Sequence, residues 1–155
     1  MDYPRWITEP MDGMNLREVA PHLYVGEQSA PLRGEWHTII DFYGGAPYYV
    51  KPAYKDAKNY LRIPFDDGDH FPDGALDAAW EAWQTADDEG GETLIHCQAG
   101  LSRSASAAYA LLRLRYGLSY EQALARVVTP LTYHQFPLRV TLGSAHDWVK
   151  RQRVG

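Results

Sequence analysis

The stretch Thr93-Leu94-Ile95-His96-Cys97-Gln98-Ala99-Gly100-Leu101-Ser102-Arg103-Ser104 decides both the fold and the chemistry. Thr93 to Ile95 is largely apolar and reads as a buried strand. Ser104-Ala105-Ser106-Ala107-Ala108-Tyr109-Ala110-Leu111-Leu112 follows and reads as a helix. Five residues separate Cys97 from Arg103, small or unbranched enough for a tight loop, and Gly100 can take a backbone angle that others resist. A strand, a loop and a helix N-terminus in that order turn backbone N–H groups toward one point, where they can hold an anion. The same helix end favours a thiolate over a thiol at Cys97. Cys97 is also the only cysteine in the sequence, so no second thiol is available to trap its oxidised form.

Working outward, the bulk properties narrow the class. The 155 residues are 45% hydrophobic and 23% charged, as expected for one globular domain, with a core from about 20 to 150. A net charge of -5 argues against an extended nucleic-acid surface. No apolar run approaches the roughly 20 residues that span a bilayer, so no membrane partner is expected. The start, Met1-Asp2-Tyr3-Pro4-Arg5-Trp6, does not read as a secretory signal, and a cytoplasmic location is the expectation.

Strands and helices alternate along the chain. Residues 1 to 20 read as irregular, with a helical turn near Leu16 to Val19. Leu23 to Gly26, His37 to Phe42 and Asn59 to Pro64 read as strands, and 48 to 58 as a short helix or loop. Asp73 reads as the N-cap of a helix whose Leu76, Ala79, Trp80 and Trp83 form one core stripe. The helix after the cysteine loop runs to Tyr116, with Gly117 as its cap. Ser119 and Gln122 form a capping-box pattern for a helix over 120 to 129. Pro130 and Pro137 bracket a link, and a last helix carries Leu138, Leu142, Ala145 and Val149 on one face. The expected fold is α/β: a single domain with a central, mostly parallel, twisted sheet flanked by helices.

The loop suits phosphoryl transfer. The N–H groups of Gln98, Ala99, Gly100, Leu101, Ser102 and Arg103 are the expected phosphate ligands, with the Arg103 side chain as a planar clamp. Cys97 is the expected nucleophile, Ser104 the group that eases departure of the thiolate, and His96 a support for the loop rather than a proton carrier. The leaving oxygen needs an acid, and the loop Asp66-Asp67-Gly68-Asp69 is the upstream carboxylate cluster. Asp67, thirty residues before Cys97, is the first choice, with Asp66 and Asp69 as alternatives. The chemistry calls for no metal or cofactor. Tyr43, Tyr48 and Tyr49 either wall the site or pack within their own loop, and His134 and Gln135 read as loop-packing residues in preference to groups that face the site and orient water.

The run His96 to Ser104 resembles the active-site signature of the cysteine-dependent protein tyrosine phosphatase superfamily. Its Ala99-Gly100-Leu101-Ser102-Arg103-Ser104 portion is similar to the dual-specificity branch. Ala20 to Gly26, Thr38 to Asp41, and Tyr60 to Asp67 resemble that family's opening strands and its approach to the acid loop. The resemblance covers about residues 20 to 150 and implies a protein phosphatase that forms a phosphocysteine on Cys97, with Asp67 as general acid and base. Its substrate would be a protein or peptide bearing phosphotyrosine and also phosphoserine or phosphothreonine. Residues 129 to 137 depart from the Arg-Pro and Pro-Asn pairs often found there.

Three other readings compete. A non-protein phosphomonoester (phosphoinositide, glucan phosphate or RNA 5′-phosphate) would suit a loop carrying extra cations, whereas Gln98, Ala99, Leu101 and Ser102 are neutral. A non-catalytic phosphoprotein-binding module would tolerate loss of the cysteine or arginine, and both are present. Sulfur transfer through a persulfide would favour a shorter loop and has no use for Asp67.

Overall fold

The computed structural model describes residues 16–128 and 138–154. Five short strands are present: β1 (Arg17–Ala20), β2 (Leu23–Gly26), β3 (Thr38–Asp41), β4 (Asn59–Arg62) and β5 (Thr93–His96). They form one sheet in the order β1-β2-β5-β3-β4. β1 and β2 are antiparallel, and all other pairs are parallel. The helices are α1 (Lys51–Asp56), α2 (Ala75–Asp88), α3 (Arg103–Tyr116), α4 (Tyr120–Val127) and α5 (Leu138–Val154). The α/β expectation holds, with a mostly parallel sheet.

Every residue of β3 and β5 is buried, as a parallel sheet covered on both faces requires. Side chains alternate between the faces. Val25, Ile40 and Ile95 enter the larger core, which α2, α3, α4 and α5 complete. Ile39 and Leu94 enter a smaller one with Leu16 and Ala30, against which Trp36, Tyr54 and Tyr60 pack. All of Arg103 to Arg113 is buried, so α3 is the central helix, which explains its run of alanines and serines.

Three local expectations change. Leu16 to Val19 leads into a strand rather than a helical turn, because the chain reverses at Pro21-His22 and Arg17 pairs with Val25 across the ladder. Asp73 does not cap α2. Gly74 holds that position at φ +78, a left-handed turn that glycine adopts without cost, and no side chain caps the helix. α4 ends at Val127 rather than 129, since Val128 is extended.

Other details match. Trp83 is buried and Trp80 partly so. Ser119 and Gln122 exchange both capping-box bonds, at 2.9 and 3.1 Å. Gly117 caps α3 at φ +62. Leu142, Ala145 and Val149 face the core along α5. The link from 129 to 137, including His134 and Gln135, lies outside the described residues. Among the described residues, no helix is long and apolar enough to cross a membrane.

Candidate active site

Three parallel strands end in one row, with Asp41 of β3 level with His96 of β5 and Arg62 of β4. The cysteine loop leaves β5 at this edge and enters α3, the usual place for a ligand in such sheets. Gly100 turns the loop at φ +72. Its N–H donates to Cys97 Sγ at 3.3 Å, and Ser104 Oγ lies 3.2 Å from the same sulfur. Cys97 is 2% exposed, at the floor of the loop. The start of the loop is tied to the turn after β2 by Gln28 N–H, which donates to Gln98 O at 3.0 Å.

Arg103, 6% exposed, is held from the opposite wall. Its Nη1 donates to Phe65 O at 2.7 Å and Phe42 O at 3.3 Å. These bonds fix the guanidinium plane and leave its Nε edge, buried and without a hydrogen bond among the described residues, to meet an oxyanion. The Tyr43 ring lies 5.7 Å from the Arg103 carbon. Asp67 Oδ1 is 3.9 Å from Arg103 Nε, and the Asp67 side chain is half exposed. Asp69 points elsewhere, with Oδ1 accepting from His70 N–H and its carbonyl from Thr141 Oγ1.

His96 is fully buried against the loop. Its Nδ1 lies 3.3 Å from Cys97 O, an acceptor only, so Nδ1 carries the proton. Nε2 then accepts from Tyr54 O–H at 3.1 Å. Tyr60 O–H donates to Asp41 Oδ2 at 2.7 Å, and the Tyr54 and Tyr60 rings stack at 4.1 Å. Burial pushes the His96 pKa down, opposed by Asp41 at 3.6 Å, which favours the neutral ring near pH 7. Burial, assisted by Asp41, raises both tyrosines and keeps their protons in place.

The sequence model of the dual-specificity phosphatase catalytic domain matches residues 37–133. The chain belongs to this family. It is thereby a member of the dual-specificity branch of the cysteine-dependent phosphatases, a family of phosphoric monoester hydrolases. Mouse dual specificity protein phosphatase 8 is 28% identical over 123 residues, which are 74% of this chain and 18% of that protein. MAP kinase phosphatase with leucine-rich repeats protein 1 of Dictyostelium discoideum is 37% identical over 107 residues, 65% of this chain and 12% of that protein. The chain thus spans less than a fifth of the length of the curated relatives it matches. The crystal structure of human DUSP28 superimposes with a TM-score of 0.67 at 23% identity, covering 90% of this chain and 95% of that one.

Within this phosphatase domain, the structure brings together Cys97, Arg103, Ser104 and Asp67, with His96 behind the loop. Sequence reasoning missed the groups that hold them. Asp41 and Tyr60 become visible only when the strand register sets them beside His96. Arg17 comes from β1, eighty residues away, and donates from Nη2 to Gly100 O at 3.2 Å and Val127 O at 2.5 Å. Of the three loop tyrosines, Tyr43 packs on Arg103, whereas Tyr48 and Tyr49 are exposed and pair edge to face.

Proposed function

We propose that this domain hydrolyses phosphotyrosine, and also phosphoserine or phosphothreonine, in proteins through a phosphocysteine intermediate. The observation that carries this reading is the sulfur of Cys97, held between the Gly100 N–H and Ser104 Oγ with the Arg103 guanidinium fixed across the loop. The phosphate enters with its oxygens on the loop N–H groups from Gln98 to Arg103 and on the Arg103 fork. The thiolate attacks phosphorus in line, an S–P bond forms, and the bond to the leaving oxygen breaks. Asp67 gives that oxygen its proton. In the second step Asp67 takes a proton from water as the water oxygen attacks phosphorus. The S–P bond breaks, and Ser104 O–H stabilises the departing thiolate.

Residues from about 20 to 150 would act as one catalytic unit, and a reducing, cytoplasmic setting suits a domain that depends on a thiolate. The protein-directed reading is favoured over polyphosphorylated small molecules because the loop adds no cation beyond Arg103. Hydrolysis of p-nitrophenyl phosphate and of phosphopeptides is the test. Wild-type protein should turn over both, and Cys97→Ser should lose at least about a thousandfold in kcat while retaining phosphate affinity. Activity that survives Cys97→Ser would sink the proposal.

A further inference from the structure

A second cationic site lies along the same sheet edge. A cleft of about 430 Å³ opens between α1, the loop after β3 and the end of β4, lined in part by Lys51, Lys55, Arg62, Tyr54, Tyr60 and Asp41. Lys51 and Lys55 are one turn apart on α1 and leave the same helix face. Arg62 ends β4 and donates to Gly44 O at 3.0 Å. Among the described residues, none of these three cations has a carboxylate within ion-pair distance. The one carboxylate in the wall, Asp41, is buried and occupied by Tyr43 N–H, Gly44 N–H and the Tyr60 hydroxyl. The accessible charge of the cleft is therefore positive, in a chain whose net charge is -5.

Its place relative to the phosphate loop follows from the register. Arg62 and His96 both pair with Asp41, one on each side. Two strand spacings put their Cα atoms roughly 10 Å apart. An extended peptide advances about 3.3 Å per residue, so this span is about three residues. The loop after β3 forms the partition, with Tyr43 against Arg103 on one side and Gly44 and Ala46 lining the cleft on the other. Tyr48 and Tyr49, exposed at 83% and 52%, lie just before α1, separated from Lys51 by the buried Val50, and offer an aromatic platform.

We infer that this cleft is a subsite for an anionic side chain of the substrate, about three residues from the phosphoresidue held by Cys97 and Arg103. The inference rests on the phosphatase reading above. A carboxylate and a second phosphoryl group share the required chemistry. A peptide suits the cleft better than a membrane does, because the cations surround a concavity rather than a flat face. The overall negative charge also opposes adsorption to an anionic surface.

The test uses the full 155-residue chain and three phosphotyrosine peptides, with alanine, glutamate or phosphoserine at the third positions on both sides. Both anionic peptides should exceed the alanine peptide by about tenfold in kcat/KM, chiefly through KM, and the advantage should shrink with added salt. A larger gain for phosphoserine than for glutamate identifies a second phosphate as the ligand; equal gains identify a carboxylate as sufficient. The double variant Lys51→Ala, Lys55→Ala should bring the ratio between peptides close to one, and Lys51→Glu, Lys55→Glu should invert it. Calorimetric affinities of the same peptides for Cys97→Ser protein read the subsite without turnover, which separates this test from the phosphatase test. Equal kcat/KM and equal affinity for all three peptides would overturn the inference. So would a preference that survives the double variant, or faster turnover of phosphoinositide in vesicles than of any peptide.

Discussion

Arg17 shows how a single side chain far from the signature can govern it. Its guanidinium is buried, and burial pulls its pKa down to about 10, against the opposing pull of Cys97. The group therefore stays charged at neutral pH. It joins the carbonyl of Gly100, in the phosphate loop, to that of Val127, at the end of α4. The two peptide groups that flank the Gly100 Cα are thus both fixed, one through the Gly100 carbonyl by Arg17 and the other through the Gly100 N–H on Cys97 Sγ. Arg17→Met keeps most of the volume but leaves two buried carbonyls without this donor, a cost of about 2–4 kcal/mol. Inorganic phosphate, measured as a competitive inhibitor, should bind about tenfold more weakly to Arg17→Met. Arg17→Lys should restore part of that affinity, because it keeps the charge and loses the two-pronged geometry. Unchanged phosphate inhibition in a folded Arg17→Met protein would show that Arg17 supports stability alone. The Cys97 to Arg103 spacing is legible in the sequence because the loop is local. Arg17 is not, since nothing in Leu16-Arg17-Glu18-Val19 points to a loop eighty residues on.

At the scale of elements, the acid loop is clasped by a helix that sequence reading treats only as a core-packing face. Thr141 Oγ1 on α5 donates to Asp69 O at 2.8 Å, and Ser144 Oγ accepts from Phe71 N–H at 2.9 Å. Phe71 in turn packs on Phe42 and Phe65, whose carbonyls hold Arg103. Thr141 therefore acts on Asp67 through the backbone of its loop. Thr141→Val preserves shape and removes one hydrogen bond. It should lower kcat by about five- to tenfold for alkyl phosphates, whose leaving groups need a proton, and much less for p-nitrophenyl phosphate. Inhibition by phosphate should not change. Equal losses on both substrates would assign Thr141 a purely structural role. The elements with a clear period, such as α2 with Leu76, Ala79 and Trp83, are readable in advance. β1 is not, because four residues carry no period of their own and only the partner strand β2 makes them a strand.

For the whole molecule, the neutral histidine behind the loop couples catalysis to stability. His96 is buried at the end of β5, in contact with Tyr54 on α1, near Asp41 on β3, and within the field of Glu27. Burial holds its pKa below the ordinary 6.5. His146 on α5 is shifted in the same direction, by burial first and then by Arg113, whose Nη1 lies 3.0 Å from His146 Nδ1. As the pH falls below 6.5, the unfolded chain takes up protons at these rings that the folded chain refuses. Stability therefore declines with acid and is fully present above 6.5, with a limiting slope of about 1.4 kcal/mol per pH unit for the buried His96 ring and a smaller one for the partly exposed His146. His22 works in the opposite sense. Its exposed pairing with Glu92 raises its pKa, so its contribution is present below 6.5 and is lost as the pH rises. That pair is screened by salt, as are the cations that add to the shift of the partly exposed His146, whereas the buried His96 ring is not. Urea unfolding between pH 7.5 and 5 in about 0.5 M salt should thus bring out the buried His96 ring and show stability falling with acid. His96→Asn, whatever its effect at pH 7.5, should reduce the slope by about one proton. A slope unchanged by the substitution would mean that His96 takes up its proton without unfolding, and that Tyr54 and Cys97 O accommodate an imidazolium.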